Sequence, residues 1–356
     1  MTAKAAFYVV ADRRFFPGLV GLVNSLRLQG HSESVVVLDC GLTHRQREQL
    51  QGNCRLVPFD RSQATSPSRF KPFAHLLHAR GLVVVVDSAV IVTAPLNDLF
   101  DRARAGRICV ALDPEEDRWF SEWEDVFGLR KPLRRGRYVN SSFVAFSADH
   151  WPGLLGRWWE ACRRTWRQPW FYETGAPDGP AAQGGQDALN ALLMSEVPEE
   201  SVWYLATGAA PIGEAARGVR VQDLATLRCE CGGQRTLLMQ SVGALKPWEG
   251  AYWKRFRGDA YSVLLRRLLL GEGLALRVDE AELPLWLRRG LTTQAVWQVL
   301  VWANTNPARP WVGRSVRWVR SGYGRWGPGT TGILRLVDAE AWVSDVFRGL
   351  GVGVCG

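Results

Sequence analysis

The 356-residue chain lacks the features that would place it in several broad classes. No apolar run approaches the ~18 residues that a helix needs to cross a bilayer, so no membrane span is expected. The seven cysteines are odd in number and irregularly spaced, which argues against a disulfide framework. Only Cys229 and Cys231 stand close together, and no second Cys or His pair follows at zinc-site spacing, so all are read as reduced thiols. The opening MTAKAAFYVVADRR carries one early lysine and an apolar patch that stops at Asp12. It is too short for a signal peptide and lacks a cleavage pattern, so the expectation is a mature cytoplasmic protein beginning on a strand. Lysine is scarce: only positions 4, 71, 131, 246 and 254 carry it, and the rest of the 44 basic residues are arginine.

Hydrophobic content of 47% and charged content of 22% are ordinary for a globular chain long enough to bury a large core. The net charge is +9, and residues 252–356, with fifteen basic and eight acidic residues, hold +7 of it. The arginine bias, with abundant Ala and Gly, reads as the imprint of a GC-rich bacterial genome. Basic charge therefore gives little reason to expect a nucleic-acid partner, and none is expected.

Strand and helix signals alternate through the first half. AAFYVV (5–10), VVVLD (35–39), LVVVVD (82–87), ICVALD (108–113) and NSSFVAF (140–146) read as strands. Helices are expected over 19–28, 69–80 and about 151–166, and Thr43 three residues before Gln46 gives a capping box for another. Continuous β-branched runs between helices indicate strands buried on both faces of a largely parallel sheet, with ligands beyond the carboxyl ends of its strands. Asp87 ends its strand at that edge, where a carboxylate can take ribose hydroxyls or a cation, or simply cap a turn. The texture changes near residue 255, which separates an α/β domain over 1–255 from a mainly helical and irregular extension over 256–356.

Five blocks in order carry a resemblance. They are ADRRFFPGLVGLVNSLR from Ala11, KPFAHLL followed by VVVVDSAVIVTAPLNDLF, YVNSSFVAFS, GGQDALNALL, and QSVGALKPW ending at Trp248. Together they resemble glycosyltransferase family 8, the retaining GT-A enzymes that include glycogenins and lipopolysaccharide galactosyltransferases, over roughly residues 5–255. The resemblance implies a GT-A fold, a Rossmann-like sheet flanked by helices, and a nucleotide-sugar donor. It places Ala11, Asp12, Arg14 and Phe15 at the base, with Asp12 reading the uracil edge and Phe15 stacking. Lys71, Asp87, Ser88, Ala89, Asn140, Ser141, Gln240, Gly243 and Lys246 fall to the remainder of the donor. Gln186 is implied beside the anomeric carbon, Asp187 follows it at the reacting centre, and Lys246 lies on the diphosphate. Arg13 and Arg69 are further candidates to assist. A plainer reading of Gln186-Asp187 is a helix N-terminus, where Asp suits the dipole.

The departures from the family pattern are as informative. Asp87-Ser88-Ala89 stands where the family has Asp-x-Asp, and Gln240 where it has His. Alanine cannot ligate, and a neutral amide is a poor substitute for imidazole on a transition metal, so the usual Mn²⁺ site is expected to be absent and no metal cofactor is assigned. Gly185 replaces a sugar-binding Asp, which leaves the donor sugar open. The expected activity is a metal-independent, retaining hexosyl transfer from a UDP-type donor to a small molecule (a secondary metabolite, for example) or a cell-surface glycan. A GT-A domain that binds nucleotide-sugar or a partner without turnover is the alternative. The Trp- and Arg-rich tail can bind single-stranded nucleic acid, rest on a membrane surface as a peripheral contact, or pack back as an acceptor lid or homodimer contact. Packing and acceptor binding are preferred, because Trp286, Trp297, Trp302, Trp311, Trp318 and Trp326 lack helical spacing.

Overall fold

The computed structural model describes residues 5–60, 67–167, 178–213, 215–243, 245–249, 259–284 and 287–290. Strands β1 (Ala6–Ala11), β2 (Ser34–Asp39), β3 (Arg55–Pro58), β4 (Leu82–Val86), β6 (Ile108–Leu112), β7 (Val139–Ser147) and β8 (Val202–Leu205) form one sheet in the order β3-β2-β1-β4-β7-β6-β8. The pairs β3–β2, β2–β1, β1–β4 and β6–β8 are parallel. Strand β7 runs against both neighbours, β4 and β6, so the sheet is mixed and mostly parallel, as expected from the sequence. Two small antiparallel sheets lie beside it. One pairs β5 (Val90–Val92) with β12 (Leu238–Gln240), and the other joins β9 (Val219–Asp223), β10 (Arg228–Cys231) and β11 (Gln234–Thr236).

The β-branched runs are explained by burial on both faces. Phe7, Val9, Val35, Val37, Val84 and Val86 face one core, and Tyr8, Val36, Leu38, Val83 and Val85 face the other. The first core is covered by α1 (Phe16–Leu28) and α3 (Asn97–Arg104), and the second by α4 (Trp123–Phe127), α5 (Leu154–Arg164) and α6 (Gly185–Leu193). The capping box of α2 (His44–Leu50) forms as expected: the Gln46 amide donates to Thr43 Oγ1 at 3.3 Å, and the Thr43 N–H to Gln46 Oε1 at 3.0 Å. The helix expected over 69–80 is instead a 3₁₀ segment over Pro67–Leu77, kinked at Pro72, whose ring has no N–H to continue an α-ladder.

Past residue 255, helix α7 (Ala260–Leu270) is capped by Asp259, whose carboxylate accepts the Ser262 N–H at 2.8 Å. It packs on α1, and Asn24 of α1 donates to the carbonyls of Leu268 and Leu276 and accepts from the Leu276 amide. Buried residues of α7, with Leu276, Val278, Leu283 and Leu287, thereby share the core of α1 and β1. The Trp- and Arg-rich tail after residue 290 and the texture change at 255 lie outside the described residues. No described helix is long and apolar enough to cross a membrane. None of the six described cysteines forms a disulfide.

Candidate active site

A cavity of about 510 Å³ opens beyond the carboxyl ends of β1 and β4, the position expected for ligands of such a sheet. Ala11, Asp12, Arg14, Phe15, Lys71, Asp87, Ser88, Ala89, Asn140, Ser141, Gln186, Gln240, Gly243 and Lys246 all line it. Residues far apart in the chain are thus gathered at one place, and each arrives by a simple local device.

On the α1 side, Asp12 follows β1 and its Oδ1 accepts the amides of Arg14 at 2.9 Å and Phe15 at 3.1 Å. The turn holds Phe15 edge-on to Trp248, with ring centroids 6.1 Å apart, and the Trp248 indole donates to the Arg14 carbonyl at 2.7 Å. A Cβ on Gly18 would lie 2.5 Å from the Trp248 ring and 2.7 Å from the Ser88 carbonyl, so only glycine lets α1 approach so closely. That contact seats the Lys-Pro-Trp segment. Lys246 is buried, and its ammonium donates to the Ser241 carbonyl at 2.7 Å. Burial lowers its pKa to about 8, and the nearby Asp87 carboxylate offsets this only in part. Glu249 is already committed, accepting from the Lys246 backbone amide and from Arg14.

At the floor, a tight turn follows β4, with the Val90 amide on the Asp87 carbonyl at 3.0 Å. Because β12 pairs antiparallel to β5 with Gln240 opposite Val90, the Gln240 side chain falls beside Asp87. Its Nε2 donates to Asp87 Oδ2 at 3.0 Å. Lys71 reaches from the 3₁₀ segment to Asp87 Oδ1 at 2.8 Å and Oδ2 at 3.0 Å, and to Ser141 Oγ at 2.8 Å.

The opposite wall is made by β7 and the N-terminus of α6. Gln186 accepts the Ser141 amide at 3.0 Å on Oε1 and donates to Asp113 Oδ2 at 3.0 Å. Asn140 donates to the same Asp113 oxygen at 2.7 Å. Asp113, at the end of β6, was not singled out from the sequence, although ICVALD repeats the strand-then-Asp pattern of VVVVD. Gln183 also lines the cavity and had no sequence signal.

Asp187, expected at the reacting centre, is not brought there. Its carboxylate is fully buried behind the wall, accepting from Arg118 Nε at 2.9 Å, the Tyr138 hydroxyl at 2.7 Å and the Gln183 amide at 2.8 Å. Burial raises its pKa, against the opposing pull of Arg118 and Tyr138. The expectation is corrected: α6 turns consecutive side chains about 100° apart, so Gln186 on the cavity forces Asp187 into the core. Arg69 is likewise buried, donating to Thr165 Oγ1 at 2.7 Å, and Arg13 is exposed outside the lining. A Cβ on Gly185 would sit 3.0 Å from the Ser68 carbonyl, so the space of a side chain here is taken by the 3₁₀ segment.

No protein-family model matches the chain, and no curated protein matches it in sequence. Solved structures do match in shape. The galactosyltransferase LgtC, in complex with donor and acceptor sugar analogues, aligns with a TM-score of 0.51 at 15% identity, over 78% of this chain and 100% of that one. The bifunctional glycosyltransferase WbbM aligns with a TM-score of 0.50 at 14% identity, over 77% of this chain and 50% of that one. The fold is that of the GT-A glycosyltransferases. At these identities the likeness speaks for the GT-A fold alone.

Proposed function

We propose that the chain is a glycosyltransferase of family-8 type, moving a hexosyl group with retention from a nucleotide diphosphate-sugar, by default a UDP-sugar, without a divalent metal. The supporting observation is the state of Asp87: a lone carboxylate whose two oxygens are both taken by donors of the chain itself, Lys71 and Gln240. The fold and the gathered lining residues support a nucleotide-sugar as ligand. The acceptor is a small molecule or glycan reaching the Asn140–Gln186 wall.

The chemistry follows from charge. Departure of a nucleoside diphosphate leaves negative charge that needs fixed positive partners, and such stabilisation is worth several kcal/mol in a water-poor site. Lys246 is the candidate for that role, being a buried cation that donates to a carbonyl and is not tied up by a carboxylate. Gln186, pinned between Ser141 and Asp113, would hold its amide against the anomeric carbon on the reacting face. With no carboxylate nucleophile assigned there, departure and attack on the same face, with the leaving phosphate as base, account for retention.

A binding-only domain is the competing reading, favoured by Gly185 in place of a sugar-binding carboxylate. Calorimetry against a panel of nucleotide-sugars, followed by assay of diphosphate release with candidate acceptors, separates the two. The proposal expects binding of one donor class with turnover; tight binding without turnover for any acceptor supports the binding-only domain.

A further inference from the structure

The residues at the end of β4 do not fit the divalent ion that the fold family commonly uses. Ala89 offers no ligand atom, and Gln240 turns its amide nitrogen, a donor, toward Asp87. Among the described residues no group of three His, Cys, Asp or Glu side chains is placed to hold a metal. The amide orientation has a cost of its own. Gln240 Oε1 is buried with no hydrogen-bond partner, yet the reverse orientation would set an oxygen lone pair against the carboxylate.

We infer that Gln240 takes the metal's place as a hydrogen-bonded bridge supplied by the chain, tying β12 to Asp87 of the β4–β5 turn, with Lys71 supplying the positive charge on the same carboxylate. Four segments converge on Asp87 in this way: the 3₁₀ segment through Lys71, the β4 end itself, β7 through Ser141 on Lys71, and β12 through Gln240. A second tie, the Ser241 amide on the Ala89 carbonyl at 3.1 Å, fixes the same crossing from the backbone. One carboxylate and one ammonium balance without any added ion. The work of a bound cation is thereby divided: the Lys71–Asp87–Gln240 junction shapes the floor, and Lys246 is left to meet the ligand's charge. The functional consequence rests on the donor-site reading above, whereas the junction is a property of the free protein.

The test titrates ligand-free protein with Mn²⁺ and follows the free-ion signal by electron paramagnetic resonance. Wild type should take up none at Asp87, whereas Ala89→Asp/Gln240→His should take up one equivalent. Gln240→Glu, a single change, should gain weaker uptake and serves if the double variant misfolds. In parallel, Gln240→Ala should bind UDP about tenfold more weakly than wild type with Mn²⁺ giving no rescue, circular dichroism confirming its fold. Wild-type uptake of one equivalent that Asp87→Asn abolishes would overturn the inference. So would folded rebuilt variants that take up none, or unchanged UDP binding by Gln240→Ala. If wild type binds no nucleoside diphosphate, the donor-site reading falls, and the Mn²⁺ titration still decides the bridge on its own.

Discussion

The two walls of the cavity are built on opposite principles. On the β7–α6 wall three polar side chains are held by several neighbours of the chain each: Asp187 by Arg118, Tyr138 and Gln183, Asn190 by both backbone groups of Val139, Gln186 by Ser141 and Asp113. On the wall formed by residues 241–249 and the turn after β1, Lys246 is a buried cation held by one carbonyl, with its pKa lowered to about 8 by burial. A network of this kind fixes geometry and has little left to offer a ligand. A desolvated cation weakens the fold slightly and gains most when an anion arrives. On the proposed donor-site reading, the first wall would position the ligand and the second would meet its charge.

The largest effect should come from breaking the hydrogen-bonded wall. Arg118→Met strands Asp187 as a buried, unpaired acid and should cost about 3–5 kcal/mol of stability in chemical denaturation. Adding Asp187→Asn should recover part of it, because the neutral amide removes the stranded charge. Full stability in Arg118→Met alone would show that the wall is not held by this pair.

Lys246→Met should do the reverse. Loss of a charge-assisted contact should weaken UDP binding by about 10- to 100-fold, while thermal stability should stay level or rise because a buried ammonium has been removed. A protein that unfolds at lower temperature with unchanged UDP affinity would place Lys246 on the structural side of the comparison.

The pH dependence sharpens the same contrast. Below about pH 8 Lys246 is charged, and UDP affinity should be flat from there down to about pH 7, before the terminal phosphate begins to protonate at about pH 6; above pH 8 affinity should fall by up to about tenfold per pH unit as the amine loses its proton. Stability should move the other way. The folded pKa of about 8 lies below the ordinary value of 10.5, so the burial penalty is fully present below pH 8 and is relieved as pH rises from 8 to 10.5. Opposed trends in calorimetry and in denaturation across this window are the expected signature; parallel trends would contradict it.

The smallest effect is expected at Arg14. Its ion pair with Glu249 spans 2.6 Å but is 40% and 23% exposed on its two sides. Arg14→Ala should therefore cost under about 1 kcal/mol in stability and change UDP affinity only a few-fold.

These contrasts also explain which parts were legible in the sequence. Strands buried on both faces are legible as Val-rich runs, whereas the Gln240–Asp87 hydrogen bond, between residues 153 apart in the chain, has no sequence signal and follows from the pairing of β12 with β5. The hydrogen-bonded wall was less visible. Arg118 carries no local pattern, and its partner Asp187 sits beside Gln186 in a motif that gives both equal weight until the helix assigns them opposite faces. Asp113 needed the sheet order, since only β6 lying against β7 brings it to Asn140 and Gln186. The direction of β7 is likewise a property of how the chain returns to the sheet, which residue patterns within the strand do not encode.

Whether the chain itself supplies the positive charge for donor chemistry is tested most directly by following nucleoside diphosphate release from the proposed UDP-sugar donor in excess chelator and again in saturating Mn²⁺. Equal rates are expected under the two conditions, with Lys246→Met greatly slowed in both. A wild-type rate that vanishes in chelator and returns with Mn²⁺ would contradict it.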